Sequence, residues 1–221
     1  MIRLKKNKRM RYQLLKRFFL NKIALWLSYL KLIPILKKLN QDSIVIDCGA
    51  NVGDITNKFA KTGATVYAFE PDPLAFSILS KRFEKTKNVT IFQKGVWDRN
   101  TKTLLYQHKN KIENELAFTV SSSIVIEKIN VASEFAVEIE VIDLIKFINQ
   151  LNKKINVIKL DVEGAETEIL TKIIDTKTYL FFDNLYAETH ESKIQNQKIQ
   201  IDAIRKKISE EGIRNIHLNW L

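Results

Sequence analysis

From residue 42 onward, apolar runs of strand length alternate with segments whose apolar positions recur every three or four residues. The pattern predicts strands over residues 44–47, 65–69 and 89–93, with helices over 54–61 and 73–84 between them. Residues 99–145 break that rhythm. Segments 103–106, 118–120 and 137–141 predict strands with no long helix between them, and Ser121, Ser122 and Ser123 lie inside this region. The alternation then resumes with a strand over 156–161, a helix over 166–174 and a strand over 185–188. A helix over 194–211, closed by Gly212 as a C-terminal cap, leads into a last strand over 213–220. Alternating elements of this kind predict an α/β fold. Its core is a doubly wound, mostly parallel sheet carrying a β-rich insertion, and ligands are expected beyond the carboxyl ends of the strands.

Residues 1–39 have a different character and predict a basic N-terminal helical arm, with residues 40–221 forming the domain. Leu15, Phe19, Trp26, Leu30 and Ile33 recur at helix-compatible spacings, and Pro34 is expected to end or kink the segment. The longest uncharged stretch of the arm, residues 23–30, is too short to span a membrane, and no secretory cleavage pattern precedes it. Two readings stay open: a helix packed on the domain with a basic tail, or an amphipathic helix lying on an anionic membrane surface.

Charge sharpens this division. The chain of 221 residues has a net charge of +11, yet residues 1–39 hold twelve Lys and Arg and no acid. The remaining 24 bases face 25 acids, so the domain is nearly neutral and a nucleic-acid partner is not expected from the overall charge. The hydrophobic content of 45% suits one well-buried domain. The single cysteine, Cys48, cannot pair within the chain, which points to a reducing compartment and a cytoplasmic, membrane-peripheral or free, location.

Two constellations carry chemistry. In the first, the apolar run ending at Asp47 enters a turn flanked by Gly49 and Gly53, and the next strand is followed by Glu70 and Pro71. A dinucleotide site needs glycine at the middle of this turn to seat a pyrophosphate. Asn51 stands there instead, and the third glycine is missing. The turn therefore suits a nucleoside without phosphates. Asp47 is placed to accept hydrogen bonds or face an ammonium, and Glu70 to accept both ribose hydroxyls. S-adenosylmethionine, with its ribose, adenine, sulfonium and amino-acid tail, meets these requirements.

The second constellation is Lys159-Leu160-Asp161-Val162-Glu163-Gly164-Ala165-Glu166. Alternation along a strand puts Lys159 and Asp161 on one face, and Glu163 follows if the extension continues. A lysine in an apolar strand is costly unless paired, so a polar cluster is expected at the strand's carboxyl end.

Asp47-Cys48-Gly49-Ala50-Asn51-Val52-Gly53, Phe69-Glu70-Pro71 and the run from Ile158 to Glu166 resemble the signature of the FkbM-type S-adenosylmethionine-dependent methyltransferases. The segment Ala187-Glu188-Thr189-His190-Glu191 is similar to that family's late acid–histidine segment, and the resemblance covers about residues 40–192. It implies a Rossmann-like class I methyltransferase fold, S-adenosylmethionine as cofactor, and O-methylation, often of a sugar hydroxyl in a glycan, lipid-linked saccharide or glycosylated metabolite. Val96, in the run Gly95-Val96-Trp97-Asp98, falls at the adenine edge, where the family commonly has a smaller sequence. RNA, protein or lipid acceptors, or a non-catalytic cofactor-binding scaffold, are the alternatives.

An alcohol acceptor needs a base, or a metal that lowers its pKa. Of the three histidines, His190 keeps a two-residue spacing from the strand-end Glu188 and is the leading base candidate. Asp161 and Glu163 are expected to position the hydroxyl. Asp161, Glu163 and Glu188 are also the candidate ligands of a divalent ion. His108 and His217 are expected to be structural.

Overall fold

The computed structural model describes residues 30–108, 131–191, 194, 197–218 and 220. The chain divides into two units, residues 1–38 with 221, and residues 39–220. In the first, helix α1 is described over residues 30–36. It continues through Pro34, where the segment was expected to end or kink. Pro34 lacks only its own N–H donor, and the following amides of Lys37 and Lys38 reach the carbonyls of Ile33 and Ile35 at 3.0 and 3.1 Å. The rest of the arm lies outside the described residues. Among those described, no helix is long and apolar enough to cross a membrane.

The second unit is built on a six-stranded sheet in the order β3-β2-β1-β7-β8-β9, every neighbouring pair parallel. Its strands are β1 (Ile44–Cys48), β2 (Thr65–Phe69), β3 (Val89–Phe92), β7 (Ile155–Leu160), β8 (Phe182–Ala187) and β9 (Ile216–His217). The chain winds outward from β1 to β3, returns to lay β7 beside β1, and winds outward again. The order therefore reverses between β1 and β7, where a doubly wound sheet opens a crevice at its carboxyl edge.

Connecting helices cover both faces. Leu79 and Phe83 of α3 (Pro73–Phe83), which follows α2 (Asp54–Ala60), pack on Ala68. On the other face Ile46, Cys48, Ile158 and Leu160 join one cluster with α4 (Leu144–Leu151), α5 (Glu166–Asp175) and α6 (Gln197–Glu210). Strands covered on both faces lose the polar alternation of a half-exposed sheet, and all five residues of β1 are buried.

The β-rich insertion is a three-stranded sheet ordered β4-β6-β5, formed by β4 (Gly95–Trp97), β5 (Thr101–His108) and β6 (Val131–Asp143). β4 was not expected, and β5 and β6 run longer than the predicted strands. The predicted strand at 118–120 lies outside the described residues. Helix α4 was also unexpected. Its signal is present in the sequence: Asp143 caps it by accepting from the amides of Ile145 and Lys146, and Leu144, Ile148 and Leu151 recur at helical spacing. β8 begins three residues before the predicted start, and β9 is only two residues long.

Gly53 shows how tightly the glycine turn is bound to this packing. Its φ is +87°, and a Cβ there would lie 2.5 Å from Phe83 Cε2 and 2.7 Å from Leu79 Cδ1. Gly53→Ala is expected to lower stability by about 1–3 kcal/mol through strain and overlap, measured as a shift of the urea midpoint at unchanged m-value.

Candidate active site

A cavity opens at the carboxyl edge where β1 and β7 meet. On one side it is lined by Gly49, Asn51, Glu70 and Pro71, and on the other by Asp161, Val162 and Glu163. Val96 lines it too, with Gly95 and Lys94 beside it. Leu105, Ile139 and Val141 of the insertion complete an apolar wall. The sequence offered no reason to place these three at a site. Their strand alternation was legible, but the packing of the small sheet over the crevice was not.

The turn after β1 is held by the main chain. Gly49 and Ala50 donate their amides to the carbonyl of Phe69 at 3.0 and 2.9 Å, and Asp161 donates its amide to the carbonyl of Cys48 at 3.1 Å. Gly49 has φ +80°, and a Cβ there would overlap the carbonyl oxygen of Asp161. This glycine therefore allows the two halves of the site to meet. Asn51 also adopts positive φ, at 49°, with its side-chain oxygen accepting from the Val52 amide at 2.7 Å.

Glu70 closes this end. Its Oε2 accepts from the Asn51 amide at 2.7 Å and its Oε1 from the Asp72 amide at 2.8 Å. Each oxygen keeps a further lone pair, so a diol can still be accepted. Burial raises the Glu70 carboxyl to about 7, against the opposing effect of the two amide hydrogen bonds.

Asp47 lies beneath the cavity rather than in its wall. It is fully buried, its Oδ2 accepting from Thr56 Oγ1 at 2.7 Å and its Oδ1 lying 3.3 Å from Lys159 Nζ. The ammonium it faces here is the protein's own, on Lys159. Gly53 likewise faces α3 and not the cavity.

Lys159 joins the two constellations. β1 and β7 pair Asp47 with Lys159, and the buried ammonium reaches Asp47, Asp161 at 3.4 Å and the carbonyl oxygen of Gly49 at 2.6 Å. Burial opposes its charge, but Asp47 and Asp161 outweigh that and its pKa is raised.

Asp161, Glu163, Glu166, Glu188 and His190 converge at the ends of β7 and β8. His190 is 1% exposed, with Nδ1 3.1 Å from Glu166 Oε1 and Nε2 2.9 Å from Glu163 Oε2. Asp161 Oδ1 and Glu188 Oε1 lie 3.9 and 3.7 Å from Nε2. Burial works against a charged ring, but contact with Glu163 and Glu166 prevails and raises its pKa to about 10. Burial also raises the Asp161 carboxyl, partly offset by Lys159. Glu166, which carried no predicted role, is fully buried and accepts from the amides of Val162 and Gly164 at 3.1 and 2.9 Å. His217 stacks on Tyr186 with ring centroids 4.7 Å apart and has its Nε2 2.9 Å from Asn184 Oδ1, away from the cluster. Cys48 is buried, and burial keeps its thiol protonated.

Lys159→Met leaves Asp47 as an unmatched buried charge. It is expected to cost about 3–5 kcal/mol in urea unfolding, and adding Asp47→Asn is expected to recover part of that loss.

This chain is similar to known proteins. The methyltransferase FkbM domain profile matches residues 47–214. Methyltransferase 1 of Beauveria bassiana is 26% identical over 166 residues, spanning 69% of this chain and 66% of that protein. A probable ribosomal RNA small subunit methyltransferase A of Methanosarcina acetivorans is 26% identical over 98 residues, spanning 44% of this chain and 35% of that protein. The chain thus covers slightly under two thirds of the first and about a third of the second. Among solved structures, a rRNA methylase from Streptococcus thermophilus aligns with a TM-score of 0.42 at 14% identity, covering 79% of this chain and 74% of that one.

Proposed function

The chain belongs to the FkbM methyltransferase family, and we propose that it transfers the methyl group of S-adenosylmethionine to a hydroxyl oxygen of a saccharide or glycosylated metabolite. The observation that carries this reading is the single cavity running from Glu70 and the Gly49 turn to Asp161 and Glu163. One end offers carboxylate acceptors for a ribose diol, with an apolar wall beside it for a base. The other offers carboxylates for a hydroxyl. In the transfer the bond from sulfur to methyl breaks as the bond from oxygen to methyl forms, and the hydroxyl proton leaves to a neighbouring group.

We assign that proton to the Asp161–Glu163 edge and not to His190. Both carboxylates line the cavity, whereas the His190 ring is buried behind them with each nitrogen facing a carboxylate. His190 acts through Glu163 and Glu166 as a positioning residue.

The acidic edge formed by Asp161 and Glu163 supports a neutral acceptor over a phosphate-rich one, because carboxylates near the reacting oxygen repel a polyanion. The second reading, methylation of RNA, has in its favour the basic residues 1–39 and relatives named for ribosomal RNA. Those same bases support contact with an anionic membrane surface, where lipid-linked saccharides reside. The test is incubation with methyl-labelled S-adenosylmethionine and separate saccharide, glycolipid and RNA fractions, with products resolved by mass. Label is expected in a saccharide, with Asp161→Asn lowering kcat by about 100-fold or more while cofactor binding persists. Label in RNA alone would establish the second reading instead.

Glu70 adds a pH dependence. A carboxyl near 7 is mostly protonated at pH 6 and mostly ionised at pH 8, and only the ionised form offers both oxygens to the ribose. Affinity for S-adenosylmethionine is expected to rise about tenfold between these pH values by calorimetry, and Glu70→Gln is expected to flatten that rise.

A further inference from the structure

We propose that the ends of β7 and β8 hold a divalent cation, bound by His190 Nε2 together with the carboxylates of Asp161, Glu163 and Glu188. This inference rests on the reading of that end of the cavity as the acceptor side. It starts from the orientation of one ring. Glu166 is fully buried, and its oxygens are fixed by the amides of Val162 and Gly164 at 3.1 and 2.9 Å. Its Oε1 also lies 3.1 Å from His190 Nδ1. An ionised carboxylate only accepts, so Nδ1 carries a hydrogen toward Glu166, and a cation at Nε2 would displace the proton that the Glu163 contact otherwise favours there. A buried carboxylate on the far nitrogen is the arrangement that fixes a metal-binding imidazole in its tautomer and orientation.

Nε2 is buried and points into the acids. Glu163, Glu188 and Asp161 oxygens lie 2.9, 3.7 and 3.9 Å from it, yet none forms an aligned hydrogen bond with it. Ligand atoms around an ion at about 2.1 Å sit about 3.0 Å apart when adjacent and about 4.2 Å apart when opposite. The 2.9 Å separation matches the adjacent value, and 3.7 and 3.9 Å lie between the two. Lys159, the neighbouring cation, is shared among Asp47, the Gly49 carbonyl and Oδ2 of Asp161, while Oδ1 of Asp161 is the oxygen that faces Nε2. An oxygen-rich set with one imidazole selects a hard ion such as Mg²⁺ or Mn²⁺. Placed there, the ion would lower the pKa of an acceptor hydroxyl in the cavity.

The test is titration of the chelator-stripped full chain with Mn²⁺, followed by electron paramagnetic resonance. One Mn²⁺ per chain is expected, with hyperfine coupling to an imidazole nitrogen that disappears in His190→Gln. Glu166→Gln is expected to weaken binding by about 10–100-fold through the ring it orients. Replacing a buried residue can unfold the chain, so Glu188→Gln, whose side chain is 34% exposed, supplies the independent arm. It is expected to weaken binding about tenfold or more with the circular dichroism spectrum unchanged. The proposal is overturned if no Mn²⁺ binds at about 1 mM, or if bound Mn²⁺ lacks nitrogen coupling. S-adenosylmethionine binding on the same sample separates the two readings. Cofactor without Mn²⁺ leaves methyl transfer standing and removes the cation, and Mn²⁺ without cofactor does the reverse.

Discussion

A single ammonium group, Nζ of Lys159, ties the two halves of this site together from beneath. It sits 3% exposed at the strand-order reversal, 3.3 Å from Asp47 on β1 and 3.4 Å from Asp161 after β7. It also holds the carbonyl of Gly49, the first residue of the turn that receives the cofactor in the proposed function. A buried charge must be matched where it lies, so these partners are constrained together. Gly49 completes the constraint, because any Cβ would collide with the Asp161 main chain. In the proposed function, the position of the nucleoside end relative to the reacting end is therefore set by one ion-paired cluster and one missing side chain.

Above that cluster the cavity divides by polarity. Leu105, Ile139 and Val141 give one wall an apolar surface, while Asp161 and Glu163 concentrate negative charge on the other. A cofactor with a flat base at one end and a sulfonium at the other matches this division. The acids then serve two purposes in the proposed function: they favour the cationic cofactor over its neutral product, and they take the proton that an alcohol must lose. His190 and Glu166 lie behind the acids.

Much of the framework was legible because it is encoded locally. The runs into Asp47 and Phe69 are apolar, punctuated by glycine or by a lone acid, and such boundaries need no knowledge of distant contacts. Asn51 in the middle of the turn pointed away from a pyrophosphate ligand, and the structure gives it the left-handed conformation expected of a turn asparagine. What was not legible depends on partners far away in sequence. The ion pair of Asp47 with Lys159 is one such feature, because it depends on the pairing of β1 with β7, over a hundred residues on. Helix α4 was masked by an apolar sequence that strand and helix readings share, although the Asp143 cap distinguishes them. Glu166 sits at the start of α5 like an ordinary first-turn acid, and only the fold brings His190, twenty-four residues on, to its oxygen.

The central claim is that one cavity seats the nucleoside at Glu70 and presents its sulfur to Asp161. A crystal structure with S-adenosylhomocysteine tests it most directly. The account predicts the ribose hydroxyls within hydrogen-bond distance of the Glu70 carboxylate, the adenine against Val96 and Leu105, and the sulfur turned toward Asp161. A nucleoside bound outside this cavity, or bound with its ribose away from Glu70, would contradict it.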